Sequence, residues 1–326
     1  MRIKLLREAG GVGDVVCALG VATAIKRIRP DAHVDFYCLE CYRELAGLCP
    51  DVDNFVGVPG RVRRSRDEDP DPRRFRYLRD GPADAIVDLF CPGWAHEWST
   101  QGAVIKGRAQ LFCERGAEAT GLDLVPTPPR IRLTPYDAGR ADGWLTGKGA
   151  DLRRRLIGIQ PQANLLARRW PDEKWRELLT MLLAYIPSTR IVCFGTHTET
   201  RRFARSISAI EAIFLPYRLA AAVLKRCDVL VGVDSGFYHL AAATRTPAVG
   251  IFGVTGGAST SAVYTNSVWI EAGDEERARA NTRCVRHCYN MPSAGKESRC
   301  DAGPCPAMAE ISTGKVLAAT LSRLAI

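Results

Sequence analysis

The stretch Val229-Leu-Val-Gly-Val-Asp234-Ser235-Gly236-Phe237-Tyr238-His239-Leu-Ala-Ala-Ala243 joins a short apolar run to a turn with glycine and then to an alanine-rich run. An unbroken apolar pentad suits a strand covered on both faces, the environment of a parallel sheet. The alanine run suits a helix. The unit therefore reads as strand, tight turn, helix. Such a turn presents backbone N–H groups at a helix N-terminus, where they and the helix dipole favour a phosphate. His239 lies four residues after Ser235 and shares its helix face. A capped core helix with a satisfied histidine would show the same spacing.

Outward from this unit the same alternation continues. Downstream, Ala248–Gly253 reads as the last clear strand. It runs into Phe252-Gly253-Val254-Thr255-Gly256-Gly257, whose glycines suit close approach of a ligand to the backbone or a plain turn. Upstream, strands are expected over Leu156–Gln160, Arg190–Gly195 and Ala212–Leu215. Helices are expected from Pro171 to about Tyr185, over Thr200–Ser208 and over Leu219–Cys227. Trp175, Leu178, Leu179, Leu182 and Leu183 repeat at helical spacing. Ser312 or Thr313 caps a last helix with Val316, Leu317, Leu321 and Leu324 on one face. The first half repeats the pattern, with strands at Ile3–Arg7, His33–Cys38, Asn54–Val58 and Ala85–Phe90 and helices at Asp14–Ile28 and Cys41–Leu48. This order predicts an α/β protein of two Rossmann-like, doubly wound parallel sheets. The Pro- and Gly-rich stretch 125–149 reads as a linker. It closes an N-terminal, acceptor-side domain over 1–150 and opens a C-terminal, donor-binding domain over 151–326. Two such domains face a central cleft, and ligands bind outside the carboxyl ends of the strands.

The chain has 326 residues and a net charge of +9, which favours anionic partners. Nucleic acid is not expected, because no helix-turn-helix, zinc-finger or RNA-binding signature is present. No apolar run is long enough to span a bilayer, and the N-terminus lacks a signal-peptide pattern. The expected location is the cytosol, with room for peripheral contact at the inner membrane. Residues 61–79 hold eight arginines and read as an exposed loop that meets an acidic or phosphorylated acceptor.

Two further motifs follow strands. Gly10-Gly11-Val12-Gly13-Asp14-Val15-Val16 fails the dinucleotide fingerprint, because Val16 stands at its third glycine. That argues against a nicotinamide-dependent oxidoreductase. Asp14 would repel a pyrophosphate at this helix start. It either takes a proton from an acceptor hydroxyl or caps the helix. Gln160-Pro161-Gln162-Ala163-Asn164 leads to Arg168-Arg169-Trp170-Pro171, whose cations grip phosphate oxygens or form a solvated basic loop.

Taken together, these segments resemble the heptosyltransferases of glycosyltransferase family 9. The matching residues are Gly13-Asp14-Val15-Val16, Arg29-Pro30-Asp31-Ala32, Arg169-Trp170-Pro171 with Trp175, Asp234-Ser235-Gly236 with His239, and Thr246-Pro247 before Phe252-Gly253. The resemblance implies a GT-B fold and an inverting, metal-independent transfer from a nucleotide-sugar, ADP-heptose above all, to a lipopolysaccharide or other glycan acceptor. It implies Asp14 as general base. It implies a donor site of Gly13, Arg168, Asp234, Ser235, Gly236, His239 and Thr255, with Glu199 toward the ribose. Arg168 stands where the family usually has a lysine. A non-catalytic sugar-nucleotide-binding protein would keep the same fold. An autotransporter-type protein heptosyltransferase would keep the chemistry and change the acceptor.

There are twelve cysteines. Several of the scattered ones read as buried thiols. Cys284, Cys288, Cys300 and Cys305 form two close pairs. They read as a structural metal site, as free thiols, or as disulfides. Some family members that modify autotransporters carry a four-cysteine iron finger, so the resemblance makes iron as reasonable as zinc.

Overall fold

The computed structural model describes residues 1–8, 10–58, 81–89, 107–196, 198–280 and 305–325. The chain forms two compact units, Met1–Arg132 and Leu133–Ile326.

In the first unit, strands β1 (Arg2–Arg7), β2 (His33–Leu39), β3 (Asn54–Val58) and β4 (Ala85–Asp88) form a parallel sheet of order β3-β2-β1-β4. Helix α1 (Val12–Ile28) crosses from β1 to β2. Its residues from Val15 to Ile25 are all buried, so it lies deep in the unit. A short 3₁₀ turn (Glu40–Tyr42) and α2 (Arg43–Ala46) link β2 to β3. Helix α3 (Arg108–Thr120) packs on α1 and β4. Its Gly116 permits this close fit, because a Cβ there would come within 2.6 Å of Leu124 and 3.1 Å of Val21.

The second unit opens with α4 (Pro135–Gly147), inside the stretch expected to be a linker. Thr134 and Asp137 form a reciprocal capping box and Pro135 occupies the first turn, a strong helix start. Gly139, Gly143 and Gly147 fall on an open side of this helix. Asp137, Ala141 and Leu145, four residues apart, form its buried stripe. This stripe meets α7 (Tyr217–Arg226), where Arg218 bonds Asp137 at 3.0 Å.

The second sheet contains β5 (Leu156–Gln160), β6 (Arg190–Gly195), β7 (Ile210–Ile213), β8 (Val229–Val233), β9 (Ala248–Phe252) and β10 (Ser267–Glu271), all parallel, in the order β10-β9-β8-β5-β6-β7. This is the order of a dinucleotide-binding doubly wound sheet. The connecting helices are α5 (Asp172–Tyr185), α6 (Thr198–Ser206), α8 (Gly236–Ala243) and the short α9 (Gly257–Ser261); α10 (Asp274–Arg279), α11 (Pro306–Ala309) and α12 (Thr313–Arg323) finish the chain. Strand β10 lies beyond the last strand expected from sequence, on the sheet edge, with Trp269 40% exposed. Strand β7 starts and ends two residues earlier than expected. Phe214, with φ +58°, turns the backbone out of the strand.

Most of the scattered thiols are buried: Cys17, Cys38, Cys49, Cys113, Cys193 and Cys227, whereas Cys41 is exposed. Burial pushes Cys38 up to about 12 and Cys113 up to about 11, so these groups pack as small apolar side chains. No helix among the described residues is long and apolar enough to cross a membrane.

Glu276 joins α10 to α12. Its carboxylate accepts from the Gly273 N–H at 3.0 Å and from Lys315 Nζ at 2.7 Å. Burial alone would push it up, but Lys315 and the backbone donors hold it at about 2. A carboxyl depressed in the folded state stabilises above its unfolded value, near 4.3, and loses that stabilisation as pH falls toward its folded value. Because Lys315 is half-exposed and screened, the contribution is about 1–2 kcal/mol. Glu276→Gln is expected to unfold at lower temperature than wild type at pH 7, with the gap closing between about pH 4.5 and pH 2. A gap that persists unchanged at pH 2 would contradict this.

Candidate active site

In each sheet the strand order reverses beside the first strand of the unit, and the candidate residues gather at these two places. In the first unit the reversal lies between β1 and β4. Arg7, the last residue of β1, bridges it. Arg7 is 5% exposed, and its Nη1 donates to the Leu89 carbonyl just past β4 at 2.8 Å. The chain then turns at Gly10, where φ is +106°, a region open to glycine and strained for other residues. A Cβ at Gly10 would lie 2.3 Å from Asp14 Oδ2 and 2.7 Å from Arg7, so the position also needs the missing side chain. The Gly10 carbonyl accepts from the Tyr42 hydroxyl at 3.1 Å.

Gly13 and Asp14 lie in the first turn of α1. Asp14 Oδ2 accepts from the Gly11 N–H at 2.9 Å, so the carboxylate does cap the helix. The same carboxylate is 3.7 Å from Arg7 Nη2 and forms a direct ion pair through Oδ1 with Arg108 Nη1 of α3. Asp14 keeps 21% of its side chain exposed. The carboxylate is thus held by the backbone and two arginines and stays partly open to solvent.

In the second unit the reversal lies between β5 and β8. Gln160, the last residue of β5, and Ser235, just past β8, are joined across it by a hydrogen bond from the Ser235 hydroxyl to Gln160 Oε1. Gln160 Nε2 in turn donates to the Gln162 carbonyl. Ser235 is the N-cap of α8 but makes no side-chain cap. Its hydroxyl is committed to Gln160, and the first N–H groups of α8, from Gly236 onward, point out of the helix end.

Asp234 is 5% exposed. Its Oδ2 accepts from the Thr255 hydroxyl at 2.6 Å and lies 3.3 Å from Arg168 Nε, while Oδ1 is 3.9 Å from His239 Nε2. His239 Nδ1 is 2.8 Å from the Tyr264 hydroxyl. The sequence-derived group Arg168, Asp234, Ser235, Gly236, His239 and Thr255 is thus brought together around the start of α8. Asp234 gathers the Arg168 guanidinium, the His239 ring and the Thr255 hydroxyl, and the helix end supplies the amides. The arrangement can bind a diphosphate through Arg168, His239 and the α8 N-terminus. Glu199 sits apart, on the first turn of α6 and exposed, held by Arg169 Nη1 at 2.7 Å. Arg169 Nε also donates to the Ala163 carbonyl at 2.9 Å.

Arg7, Arg108 and Tyr264 take part in these two clusters without being candidates from sequence, and Gln160 enters there only as the start of a loop motif, with no role of its own. Arg7 and Gln160 close strands that were located correctly, so position at a strand's carboxyl end was the available signal. Arg108 and Tyr264 carried none, since each is brought in by packing from a distant part of the chain.

Cys305 is buried. Cys284, Cys288 and Cys300 lie outside the described residues, as does the arginine-rich segment 61–79. Among the described residues, no group of three or more His, Cys, Asp or Glu is arranged to hold a metal.

Residues 93–290 match the sequence profile of glycosyltransferase family 9 (heptosyltransferase). Lipopolysaccharide heptosyltransferase 1 of Pseudomonas aeruginosa is 26% identical over 302 residues, covering 83% of each chain. The crystal structure of a glycosyl transferase family 9 protein from Veillonella parvula superposes with a TM-score of 0.72 at 15% identity, over 99% of this chain and 97% of that one. TibC of enterotoxigenic Escherichia coli, an iron-containing dodecameric glycosyltransferase, gives 0.60 at 14% identity over 99% of this chain and 76% of that one. It has also been solved with ADP-D-beta-D-heptose. The pair of doubly wound parallel sheets is the GT-B fold of these enzymes.

Proposed function

Since the chain belongs to glycosyltransferase family 9 (heptosyltransferase), we propose that it transfers a heptose from ADP-heptose to a lipopolysaccharide-type acceptor with inversion at the anomeric carbon. One observation carries the donor side of this reading. Arg168, Thr255 and His239 converge on Asp234 at the start of α8, at the reversal point of a nucleotide-type sheet. The likeness to an ADP-heptose-binding fold and to a lipopolysaccharide heptosyltransferase supports the choice of donor and acceptor.

The acceptor oxygen forms its bond to the anomeric carbon as the bond from that carbon to the diphosphate oxygen breaks. The electron pair leaves with the diphosphate, and the hydroxyl proton passes to Asp14. Charge growing on the leaving group is met by Arg168, His239 and the amides at Gly236 and Phe237, donors fixed before the reaction starts. Gly13 permits close approach beside the base, and Glu199, steadied by Arg169, serves the ribose. The net charge of +9 supports peripheral contact with an anionic membrane face. The four C-terminal cysteines would hold a structural zinc or iron, with iron supported by the iron-containing TibC fold. Metal content of the purified protein decides this, and no step above depends on it.

The test is ADP release from ADP-heptose with heptose-deficient lipopolysaccharide present, together with ADP binding. ADP at about one hundred times its Kd should stabilise the protein by roughly 2.7 kcal/mol. Arg168→Ala is expected to weaken ADP binding by about 10–100-fold, the effect of losing a charged hydrogen bond. Arg168→Lys should lose less, keeping charge without the planar fork. Unaltered ADP affinity in Arg168→Ala would remove Arg168 from the donor site, and absence of any transfer would remove the proposed reaction.

A further inference from the structure

We propose that Gln160 is a positioning residue for the donor. It holds the Ser235 hydroxyl off the start of α8, so that the first amides of that helix meet the diphosphate rather than a side-chain cap. This rests on the reading of the α8 N-terminus as the diphosphate site.

Ser235 stands at the N-cap of α8. Serine is among the residues that most readily cap a helix, its oxygen accepting from the second or third N–H. Here it forms no such cap. The hydroxyl is bonded instead across the strand reversal to Gln160 Oε1. Gln160 is buried, and a buried side-chain amide needs partners at both ends. The Gln162 carbonyl can only accept, so it takes the Nε2 end and leaves Oε1 facing Ser235. Oε1 in turn can only accept, so the serine donates its single proton there. Held in this way, the hydroxyl neither caps α8 nor has a proton for a phosphate oxygen.

Room for the bridge is built into the sheet. Gly232 of β8 pairs with Gln160 of β5. A Cβ at Gly232 would lie 3.3 Å from Gln160 Cβ and 3.5 Å from Oε1, so the glycine keeps the side chain uncrowded. Gln162 stands at the root of the loop that leads to Arg168. One buried amide therefore fixes both the cap serine and the base of the loop carrying a donor cation. Without Gln160 the hydroxyl would turn to the Phe237 or Tyr238 N–H as an ordinary cap, and the diphosphate would have to displace it.

The experiment measures ADP affinity for wild type, Gln160→Met, Ser235→Ala and the double variant, a complete cycle. Gln160→Met is expected to bind ADP about 3–10-fold more weakly, the equilibrium equivalent of one side-chain cap. Adding Ser235→Ala should return most of that loss, because the competing oxygen is gone. A glutamine that only props up the loop predicts a double variant no better than Gln160→Met, and that result overturns the proposal. Binding by Gln160→Met within about twofold of wild type overturns it too. Hydrogen exchange tests the same point without a substitution. In ADP-free wild type the Phe237 amide should exchange faster than that of His239, which donates to the Ser235 carbonyl at 3.4 Å, and ADP should protect it. Equal protection of the two amides before ADP is added would contradict the proposal. If wild type binds no ADP at all, the donor reading fails and this inference with it.

Discussion

Asp14→Asn is expected to fold and to bind ADP as wild type does, while turnover falls by about 10²–10⁴-fold, the usual contribution of general-base catalysis. The asparagine can still present an oxygen to the Gly11 N–H, so the α1 cap survives. What disappears is the negative charge between Arg7 and Arg108 and the ability to accept a proton. A stability loss of about 1 kcal/mol is expected from the broken pairing at this partly exposed site. Asp14→Ala separates the two roles of the residue. It should match the asparagine variant in turnover and fall further in thermal stability, by the ~1 kcal/mol value of a lost helix cap. Equal stability of the two variants would mean that the hydrogen bond to Gly11 contributes little. Near-normal turnover of either would exclude Asp14 as the base.

Trp170→Ala is expected to cost about 3–5 kcal/mol, the range for removing a large aromatic from a packed core. Trp170 is 1% exposed and meets Trp175 edge to face, with ring centroids 5.3 Å apart. Its indole N–H donates to the Ile311 carbonyl at 3.3 Å, tying the loop before α5 to the chain entering α12. The alanine variant leaves a cavity and a carbonyl without its donor. At about 2–4 °C per kcal/mol for a domain of this size, Tm should fall by roughly 10 °C or more. Arg168 and Arg169 precede this side chain directly, so ADP affinity should fall as well. Trp170→Phe keeps most of the ring and should lose less. A change below about 1 kcal/mol in the alanine variant would contradict the packing described here.

The strands that build both sheets were legible because each is a short apolar run ending at a turn. Val229–Val233, Leu156–Gln160 and Arg190–Gly195 occur as expected. Other elements were not, and three of them show why. Ser267–Glu271 is a partly exposed edge strand whose pairing with Ala248–Phe252 supplies what its five residues do not advertise. Arg108–Thr120 carries a glycine that is justified only by Leu124 and Val21 coming close. Pro135–Gly147 has the composition of a linker, and is helical because Thr134 and Asp137 start it and the second unit covers one stripe.

The candidate site divides in the same way. Its donor residues were legible because a strand, a turn with glycine and a helix start are consecutive in the chain, and a phosphate-binding helix end is a local structure. Sequence alone therefore determined the parallel-sheet architecture, the turn at Asp234–Gly236 and the candidacy of Asp14. Tertiary structure alone decided that Asp14 lies between Arg7 and Arg108, that Gln160 takes the Ser235 hydroxyl, and that Asp234 gathers Arg168, Thr255 and His239. The contacts of Arg108, Gln160, Arg168 and Thr255 join residues tens of positions apart, and they depend on the strand order reversing between β1 and β4 and between β5 and β8, which no local pattern of side chains encodes.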